Sequence, residues 1–295
     1  MNNKMQIITL GCKVNQSESE ALAACCRNKY GLRTDKEKAG SDLCIINTCA
    51  VTQKAEMQSR QAVRKAVRNN PEAVIVVTGC YAQRDPAVFT GINGVDYVIG
   101  HADKNRIPDI ISRQHGNGVC DHYEKPACEP AVFRRDLADY RHFDLMPAPA
   151  AGGRTRPFLK IQDGCDSFCT YCIVPYTRGR SRSMDPEHAV YEFKELLRTG
   201  APEIVLSGIH IGRYGVDLNP QTDLPALLET LDAVEGRHRI RLSSIEPIEL
   251  TDKLIDLVAD SKRICPHFHI PLQSGDPRIL KKMKRPYEPE LFSSL

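Results

Sequence analysis

Cysteine is the residue type in this chain with the clearest capacity for chemistry, and the 295 residues include twelve of them. Cys165, Cys169 and Cys172 follow one another at spacings of four and three. A short loop with this spacing can place three thiolates on three irons of a [4Fe–4S] cluster and leave the fourth iron without a cysteine. An open coordination position is typical of a catalytic metal centre. A zinc loop is the alternative, but no fourth cysteine or histidine ligand follows within the loop.

A second set of three cysteines is dispersed through the first hundred residues. Cys12, Cys49 and Cys80 each follow a short β-rich run, namely Met5–Leu10, Leu43–Asn47 and Ala73–Thr78. The carboxyl ends of parallel strands lie along one edge of a sheet, so these thiols are expected to converge. Gly11 and Gly79 precede two of them and would let backbone approach an inorganic group. The alternative is that all three are ordinary small buried residues.

The other cysteines that we considered have less distinctive surroundings. Cys25 and Cys26 share a predicted helix face with Ala21 and Leu22, and Cys44 lies within a predicted strand, so core packing is expected for all three. Cys120 and Cys128 flank His122, but a fourth ligand and the tight spacing of a zinc site are missing. Free thiols are favoured there.

The elements that must position these residues are predicted to be alternating strands and helices, which indicates an α/β fold class. Residues 1–110 alternate β-rich runs, the last at Tyr97–Ile99, with helical patterns at Ser17–Tyr30 and Gln53–Asn69. This order predicts a small parallel α/β domain. Residues 111–153 are polar, carry several prolines and predict a connector with some local structure.

Residues 154–295 resume the alternation. The predicted strands are Phe158–Ile161, Glu203–Ser207, Arg239–Ser243 and His267–Leu272, and the predicted helices are Asp185–Arg198, Leu224–Glu235, Thr251–Asp260 and Asp276–Met283. Four βα units are typical of part of a (β/α) barrel. Because four strands do not close a barrel, either the barrel is partial or the sequence is truncated.

Composition limits the remaining possibilities. The formal charge of +3 is mildly basic and compatible with RNA, without by itself indicating RNA binding. No apolar run has the length of a signal-peptide core or a membrane span, so a cytoplasmic protein that does not enter a membrane is expected. In that compartment twelve cysteines favour metal ligation or thiol chemistry over disulfides.

Two groups of arginines fit a nucleic-acid partner. Arg60, Arg64 and Arg68 recur every four residues on one predicted helix face, where they could contact phosphates or simply form a solvated surface. Arg178 and Arg180 follow the second cysteine set and could contact phosphate or carboxylate groups, or be surface charge.

Several segments together resemble one family, the radical S-adenosylmethionine (SAM) methylthiotransferases. The resemblance covers residues 4 to about 285 and is weakest in the predicted connector. The matching segments are Thr9–Gln16, Asn47–Cys49, Thr78–Cys80, Cys165–Cys172, Val174–Arg180, Gly208–Gly215, Arg241–Pro247 and His269–Gly275.

The resemblance implies a radical SAM domain and two [4Fe–4S] clusters. Cys165, Cys169 and Cys172 match the ligands of the cluster that binds and cleaves SAM, giving a 5′-deoxyadenosyl radical. Cys12, Cys49 and Cys80 match the ligands of an auxiliary cluster that carries the sulfur to be transferred. Gly208, Ser243 and Gln273 lie at the ends of predicted barrel strands and are expected SAM contacts. Tyr171 could pack on the adenine of SAM, or could equally be a core aromatic of the loop.

The resemblance also implies a substrate. The family methylthiolates isopentenyladenosine in tRNA, threonylcarbamoyladenosine (t6A) at position 37 of tRNA, or an aspartate of a ribosomal protein. The segment Leu10–Gln16 is most similar to the t6A branch, which predicts tRNA, an electron donor and a sulfur source as partners. Family members continue with further barrel strands and a TRAM domain, so the chain is expected to be C-terminally truncated and poorly active; a non-catalytic cluster-binding fragment is the alternative.

Overall fold

The structure, a computed structural model, describes residues 4–34, 40–115, 129–147 and 155–295. Two compact units make up the chain. The first contains Met1–Tyr140, Asp144–Pro147 and Tyr176–Arg178, and the second contains Arg141–Phe143, Ala148–Pro175 and Gly179–Leu295. No helix among the described residues is long and apolar enough to cross a membrane. The predicted free thiols Cys120 and Cys128, with His122 between them, lie outside the described residues.

A six-stranded parallel sheet forms the first unit. Its strands are β1 (Lys4–Thr9), β2 (Arg33–Thr34), β3 (Leu43–Thr48), β4 (Val74–Gly79), β5 (Tyr97–Ile99) and β6 (Ala131–Phe133), in the order β2-β1-β3-β4-β5-β6. Every pairing is parallel. The predicted parallel α/β domain is therefore confirmed, and part of the predicted connector supplies its edge strand β6.

Helices cover both faces of this sheet. They are α1 (Lys13–Tyr30), α2 (Gln53–Asn69), α3 (Cys80–Arg84), α4 (Ala87–Thr90) and α5 (Ile107–His115), with a 3₁₀ turn at His101–Arg106. Ile45 packs in the core on one face, with residues of α1 and α5, whereas Cys44 and Ile46 pack on the other face with α2 and α4. Such near-continuous burial is typical of a parallel sheet between two helical layers.

Cys26 and Cys44 are fully buried, as the sequence predicted for core residues, and Cys25 is half-buried. Burial raises the pKa of the Cys26 thiol to about 12, so it stays protonated near neutral pH.

The second unit contains a three-stranded parallel sheet and a two-stranded ladder. Helix α6 (Val174–Arg178) is divided between the units, because its last three residues belong to the first unit. The other helices of the second unit are α7 (Pro186–Arg198), α8 (Leu224–Asp232), α9 (Asp252–Asp260), α10 (Pro277–Lys282) and α11 (Pro289–Ser294). The strands are β7 (Phe158–Lys160), β8 (Gln162–Asp163), β9 (Arg182–Ser183), β10 (Glu203–Ser207) and β11 (Arg239–Leu242). The sheet order is β11-β10-β7, while β8 and β9 pair antiparallel.

One predicted strand of this unit is wrong. His267–Leu272 forms no strand and makes only an isolated bridge, Ser244 to His269. Pro266 and Pro271 lack the backbone N–H groups that a ladder requires, which explains the failure. Three βα units are therefore complete among the described residues, so the structure contains a partial (β/α) domain of three units rather than the four that were predicted.

Candidate functional site

The first three cysteines follow three neighbouring strands of the first sheet. Cys12 lies three residues beyond β1, Cys49 directly follows β3, and Cys80 directly follows β4. Since β1, β3 and β4 are adjacent and parallel, all three cysteines lie at the same edge of the sheet. Cys12 is exposed, whereas Cys49 and Cys80 are buried.

Two glycines make this edge compatible with a bulky inorganic group. A Cβ built at Gly11 (φ 93°) would lie 2.8 Å from the Cys49 Sγ atom, and one built at Gly79 (φ 98°) would lie 2.3 Å from the Thr48 carbonyl oxygen. Side chains at these positions would therefore intrude between the cysteines or displace β3. Glycine keeps the space beside the thiols open, and the residues present fit an iron–sulfur cluster.

No group of three or more His, Cys, Asp or Glu side chains within the described ranges is arranged to hold a single metal ion. In a cubane cluster each thiolate ligates a different iron, so the thiolates lie farther apart than the ligands of one ion. Ligation of a cluster therefore does not require the three sulfurs to converge on a single point.

His101 is a neighbour of Cys80 that sequence reasoning missed. Its Nε2 atom lies 3.4 Å from the Cys80 Sγ atom, and the imidazole is buried. The sequence pattern contained a signal for His101, because this residue lies two residues beyond β5, the strand next to β4. The same strand-end rule that selected the cysteines would have selected this histidine.

Burial disfavours the thiolate form in this part of the sheet when no metal is bound. It raises the pKa of the Cys80 thiol, while the nearby charges of Arg178 and Lys104 oppose that rise. Burial likewise raises the pKa of Cys49, opposed by a backbone hydrogen bond from Val51. Metal ligation requires thiolates, so local positive charge favours it.

The second set of cysteines lies in a loop closed at its base by the β8–β9 ladder. The Cys165 amide donates to the Gly179 carbonyl at 3.0 Å, and the Cys172 amide donates to the Cys169 carbonyl at 2.9 Å. Gly164 (φ 70°) lets the two arms of the loop meet, since a Cβ there would lie 1.9 Å from the Arg180 carbonyl oxygen.

Polar groups of the second unit contact two of these sulfurs. The Nδ1 atom of His210 lies 3.4 Å from the Cys165 Sγ atom, and the Arg285 guanidinium donates to the Cys169 Sγ atom at 3.3 Å. Arg285 also pairs with Glu246. Neither contact was predicted, because His210 and Arg285 are far from the loop in sequence.

These contacts distinguish the Cys165 thiol from the Cys172 thiol. Burial raises the pKa of Cys165, but hydrogen bonds with His210 and Ser167 outweigh it, so the net pKa is lowered. Burial lowers the pKa of His210, but Cys165 and Glu249 raise it to about 10. Burial raises the pKa of Cys172. With a lowered pKa and a protonated imidazole beside it, the Cys165 thiol ionises more readily than the Cys172 thiol.

Two predicted SAM contacts lie at strand ends. Ser243 directly follows β11 and is buried, and Gly208 follows Ser207, the last residue of β10. The hydroxyls of Ser207 and Ser243 are buried without a hydrogen-bond partner among the described residues. Ser207 follows Leu206 and Ser243 follows Leu242, and these two leucines are paired in register on adjacent strands. The two serines therefore lie at the same level of the sheet. They provide unused polar groups that fit a polar cofactor.

The other predicted SAM contacts are placed differently. Tyr171 is 52% exposed, which excludes it from the core of the loop. Gln273 is exposed in the left-handed region (φ 66°), and because no strand forms at His267–Leu272 it does not lie at a strand end. The glycine at 208 has a packing role, since a Cβ there would lie 2.8 Å from the Ile211 side chain.

The predicted RNA-contacting arginines also differ from one another. Arg64 and Arg68 are exposed on α2, and Arg60 is half-buried and donates to the Tyr81 hydroxyl at 2.8 Å. Arg180 is about half exposed and pairs with Asp166 at 3.2 Å. Arg178 is only 1% exposed, so its prediction as an RNA contact is wrong: the guanidinium is buried against Glu18.

Comparison with known families and structures agrees with the two-unit organisation. The model of the family described as "Uncharacterized protein family UPF0004" matches residues 4–100. The model of the "Radical SAM superfamily" matches residues 159–292. A similar solved structure is the radical S-adenosylmethionine methyltransferase TsrM from Kitasatospora setae with cobalamin and a [4Fe–4S] cluster bound. It has a TM-score of 0.63 at 14% identity over 99% of this chain and 66% of that one. At this identity the likeness concerns the fold alone.

Curated relatives are similar over nearly the whole chain. The threonylcarbamoyladenosine tRNA methylthiotransferase MtaB of Bacillus subtilis is 42% identical, with 97% of this chain and 61% of the relative covered. The MtaB of Aquifex aeolicus is 37% identical, with 99% and 68% covered. The tRNA-2-methylthio-N(6)-dimethylallyladenosine synthase of Natranaerobius thermophilus is 34% identical, with 98% and 62% covered.

This chain thus spans about three fifths to two thirds of the length of these relatives. The family uses SAM and [4Fe–4S] clusters. With two cysteine sets placed in the two matching regions, and with this similarity along its length, the chain belongs to the radical SAM methylthiotransferase family.

Proposed function

We propose that the protein to which this chain belongs methylthiolates t6A at position 37 of tRNA by radical SAM chemistry. The observation that carries the proposal is the placement of two cysteine triplets, one at the edge of the first sheet and one in the loop above the β8–β9 ladder. Relatives named for the t6A reaction have 37–42% identity, compared with 33–35% for those named for the dimethylallyladenosine reaction, which favours the t6A substrate.

In this proposal Cys12, Cys49 and Cys80 hold the auxiliary cluster from which sulfur is transferred. Gly11 and Gly79 keep the space beside these thiols free of side chains. When bound, this cluster and the SAM-binding one supply the sulfur and the one-electron chemistry that functionalises an unactivated C–H bond. The chain's own contribution is to separate the two donor sets into different units.

Cys165, Cys169 and Cys172 hold the SAM-binding cluster in the second unit. His210 and Arg285 orient the first two sulfurs and place N–H donors beside them, which fixes the loop before the cluster binds. The unpaired hydroxyls of Ser207 and Ser243 are available to SAM, as are Tyr171, the backbone at Gly208 and the Gln273 side chain.

For the RNA partner the proposal relies on the exposed face of α2. Lys54, Arg64, Lys65 and Arg68 are exposed there. The helix also carries Glu56, which is paired with Arg84 at 2.6 Å, so the outward charge is positive. Such a face fits a phosphate backbone. Arg60 lies at its margin, and Arg180 is a further candidate in the second unit. An electron donor, a sulfur source and a cytoplasmic location complete the proposal.

The test is formation of methylthio-t6A. The chain, joined to the C-terminal third of the Bacillus subtilis relative, is reconstituted anaerobically with iron and sulfide and incubated with SAM, a reductant and t6A-containing tRNA lacking the methylthio group. We expect methylthio-t6A in the nucleoside digest, and no product from isopentenyladenosine-containing tRNA.

Cys12→Ala in the same protein should still cleave SAM to 5′-deoxyadenosine but should form no methylthio product. Cys26→Ala, which changes a core thiol, serves as the matched control and should keep full activity. Wild-type product formation by Cys12→Ala would disprove the sulfur-transfer role of the first site, and modification of isopentenyladenosine alone would disprove the t6A assignment.

A further inference from the structure

A buried carboxylate lies close to the second cysteine site. Glu249 ends a 3₁₀ turn, Pro247–Glu249, that follows β11, and its side chain is only 8% exposed. The Oε1 atom of Glu249 lies 2.7 Å from the Nε2 atom of His210. Apart from this pairing, neither carboxylate oxygen has a hydrogen-bond partner among the residues that the structure describes. Because a buried carboxylate is costly without a donor, Glu249 depends on His210.

The same imidazole contacts a cysteine through its other nitrogen. The Nδ1 atom of His210 lies 3.4 Å from the Cys165 Sγ atom and 3.5 Å from the Ser167 hydroxyl oxygen. An ionised carboxylate only accepts hydrogen bonds, so the nitrogen that faces Glu249 is a donor. A half-turn of the ring would place carbon atoms against both partners. The pairing with Glu249 therefore determines which edge of the imidazole faces the sulfur.

The backbone of His210 is bound to the base of the cysteine loop. Its amide donates to Gln162 Oε1 at 2.7 Å, and the Gln162 side-chain nitrogen donates to the carbonyl of Gly164 at 2.8 Å, directly before Cys165. Gln162 is fully buried. The backbones of His210 and the loop are thus fixed relative to each other. The side-chain torsions of His210 are the remaining freedom, and Glu249 restricts them.

Gly212 leaves the space that the carboxylate occupies. A Cβ atom built at this position would lie 2.0 Å from the Glu249 Oε2 atom and 2.8 Å from the Glu249 Cβ atom. The backbone of Gly212 is not in the left-handed region, so the close approach of Glu249 is what favours glycine there. Any side chain at position 212 would displace the carboxylate from His210.

We propose that Glu249 is a positioning residue for the second iron–sulfur site, which acts through His210 by holding the Nδ1 edge of the imidazole against the Cys165 sulfur. Hydrogen-bonding groups that do not ligate a metal commonly orient the residues that surround it and stabilise the site. The inference rests on the proposed function only in that Cys165, Cys169 and Cys172 hold a cluster. It involves no proton transfer and no covalent step.

The experiment detects the His210 nitrogen directly. The full chain with Cys12, Cys49 and Cys80 changed to Ala is produced with ¹⁵N-labelled histidine, reconstituted anaerobically with iron and sulfide, and reduced with dithionite. Pulsed electron paramagnetic resonance then measures the coupling between histidine ¹⁵N and the unpaired electron of the remaining cluster. We expect a coupling in this parent protein and its loss in His210→Phe, which assigns the signal.

Variants of the carboxylate are compared on the same background. Glu249→Met keeps the approximate size of the side chain but removes the acceptor, so the coupling should fall severalfold. Glu249→Gln keeps an oxygen acceptor and should retain the coupling. Gly212→Ala leaves every hydrogen-bonding group in place but displaces the carboxylate, so it should reduce the coupling as Glu249→Met does. Glu229→Met removes a 53% exposed carboxylate of α8 and should have no effect.

Iron release to a chelator, measured anaerobically, tests whether Glu249 acts through His210. We expect release about tenfold faster in Glu249→Met and in His210→Phe, the size of effect expected for one hydrogen bond to a charged group. Because both changes remove the same contact with Cys165, the double variant should release iron no faster than His210→Phe alone.

A space-filling role for Glu249 makes a different prediction, because Met would then retain the coupling. Retained coupling in Glu249→Met or Gly212→Ala, its loss in Glu249→Gln, or no histidine coupling in the parent would overturn the inference. So would release rates that do not change, or that multiply in the double variant. If Glu249→Met does not bind iron, Gly212→Ala and Glu249→Gln still decide. A parent protein without a cluster would instead contradict the proposed function.

Discussion

Gly79 is the residue at which the geometry of the first site can be tested most sharply by a single substitution. Its backbone (φ 98°, ψ −171°) lies in a region that is essentially restricted to glycine. A Cβ there would lie 2.3 Å from the Thr48 carbonyl oxygen and 2.6 Å from the Thr48 amide nitrogen. Because Thr48 is the last residue of β3 and is paired in register with Gly79 of β4, the Thr48 backbone has little room to move away from a Cβ atom at position 79.

The magnitude follows from comparison with Gly31, which ends α1. Gly31 is left-handed (φ 65°, ψ 15°), and no described heavy atom lies within 4 Å of a Cβ built on it. Gly31→Ala therefore measures conformational strain alone, about 1 kcal/mol. Gly79→Ala adds overlap with immobile backbone, and we expect about 4 kcal/mol in total. The difference of about 3 kcal/mol corresponds to roughly 100-fold in the opening equilibrium.

Hydrogen exchange provides the assay, since amide exchange reports the free energy of local opening. Peptides that cover β3 and β4 should exchange roughly 100-fold faster in Gly79→Ala than in Gly31→Ala. Far-UV circular dichroism checks that both variants fold. Equal acceleration in the two variants would refute the reasoning, because the overlap at Thr48 would then have no energetic consequence.

Three further predictions concern other parts of the chain. Arg285→Met removes the hydrogen-bond donor to the Cys169 sulfur, so the second cluster should lose iron severalfold faster in air. The control is Arg278→Met, which removes a side chain that is 86% exposed and should not change the rate of iron loss. Replacing both Arg64 and Arg68 by Ala should weaken tRNA binding and reduce the slope of log affinity against log salt by about 2; an unchanged slope contradicts an α2 contact. Arg241 lowers the pKa of Glu203, so Glu203→Gln should cost about 1 kcal/mol of unfolding free energy at pH 7, measured in urea. Since the pKa of Glu203 is depressed in the folded state, the stabilisation is present above pH 4.5 and is lost as the pH falls through the folded-state pKa. If Glu203→Gln still lowered the unfolding free energy at low pH, the ion pair would not be the source of the effect.

The strands that position the first site were predictable, because β1, β3 and β4 each contain consecutive β-branched apolar residues, Ile in β1 and β3 and Val and Ile in β4. Their parallel order followed from the intervening helices, and with it the convergence of the cysteines at one edge. The short strand β6 was missed, since three residues beyond a proline-containing segment give almost no periodic signal. The predicted strand at His267–Leu272 failed because its prolines prevent a continuous ladder.

Sequence reasoning did not find the residues that surround the cysteines. Glu18 meets Lys104 and Arg178 across separations of 86 and 160 positions, and such pairs leave no local pattern. For Arg178 the sequence left open a contact with phosphate or carboxylate groups or a position on the surface, where charged side chains are usually found. Only the three-dimensional structure shows that a buried carboxylate compensates it.

The central claim, that two separate cysteine triplets each hold a [4Fe–4S] cluster, is tested most directly by the iron content of the chain after anaerobic reconstitution. The wild-type chain should bind roughly eight irons. Changing either Cys12, Cys49 and Cys80 or Cys165, Cys169 and Cys172 to Ala should leave roughly four, while the core variant Cys44→Ala should keep roughly eight. Wild-type iron content in either triple variant, or loss of all iron from one of them, would contradict two independent sites.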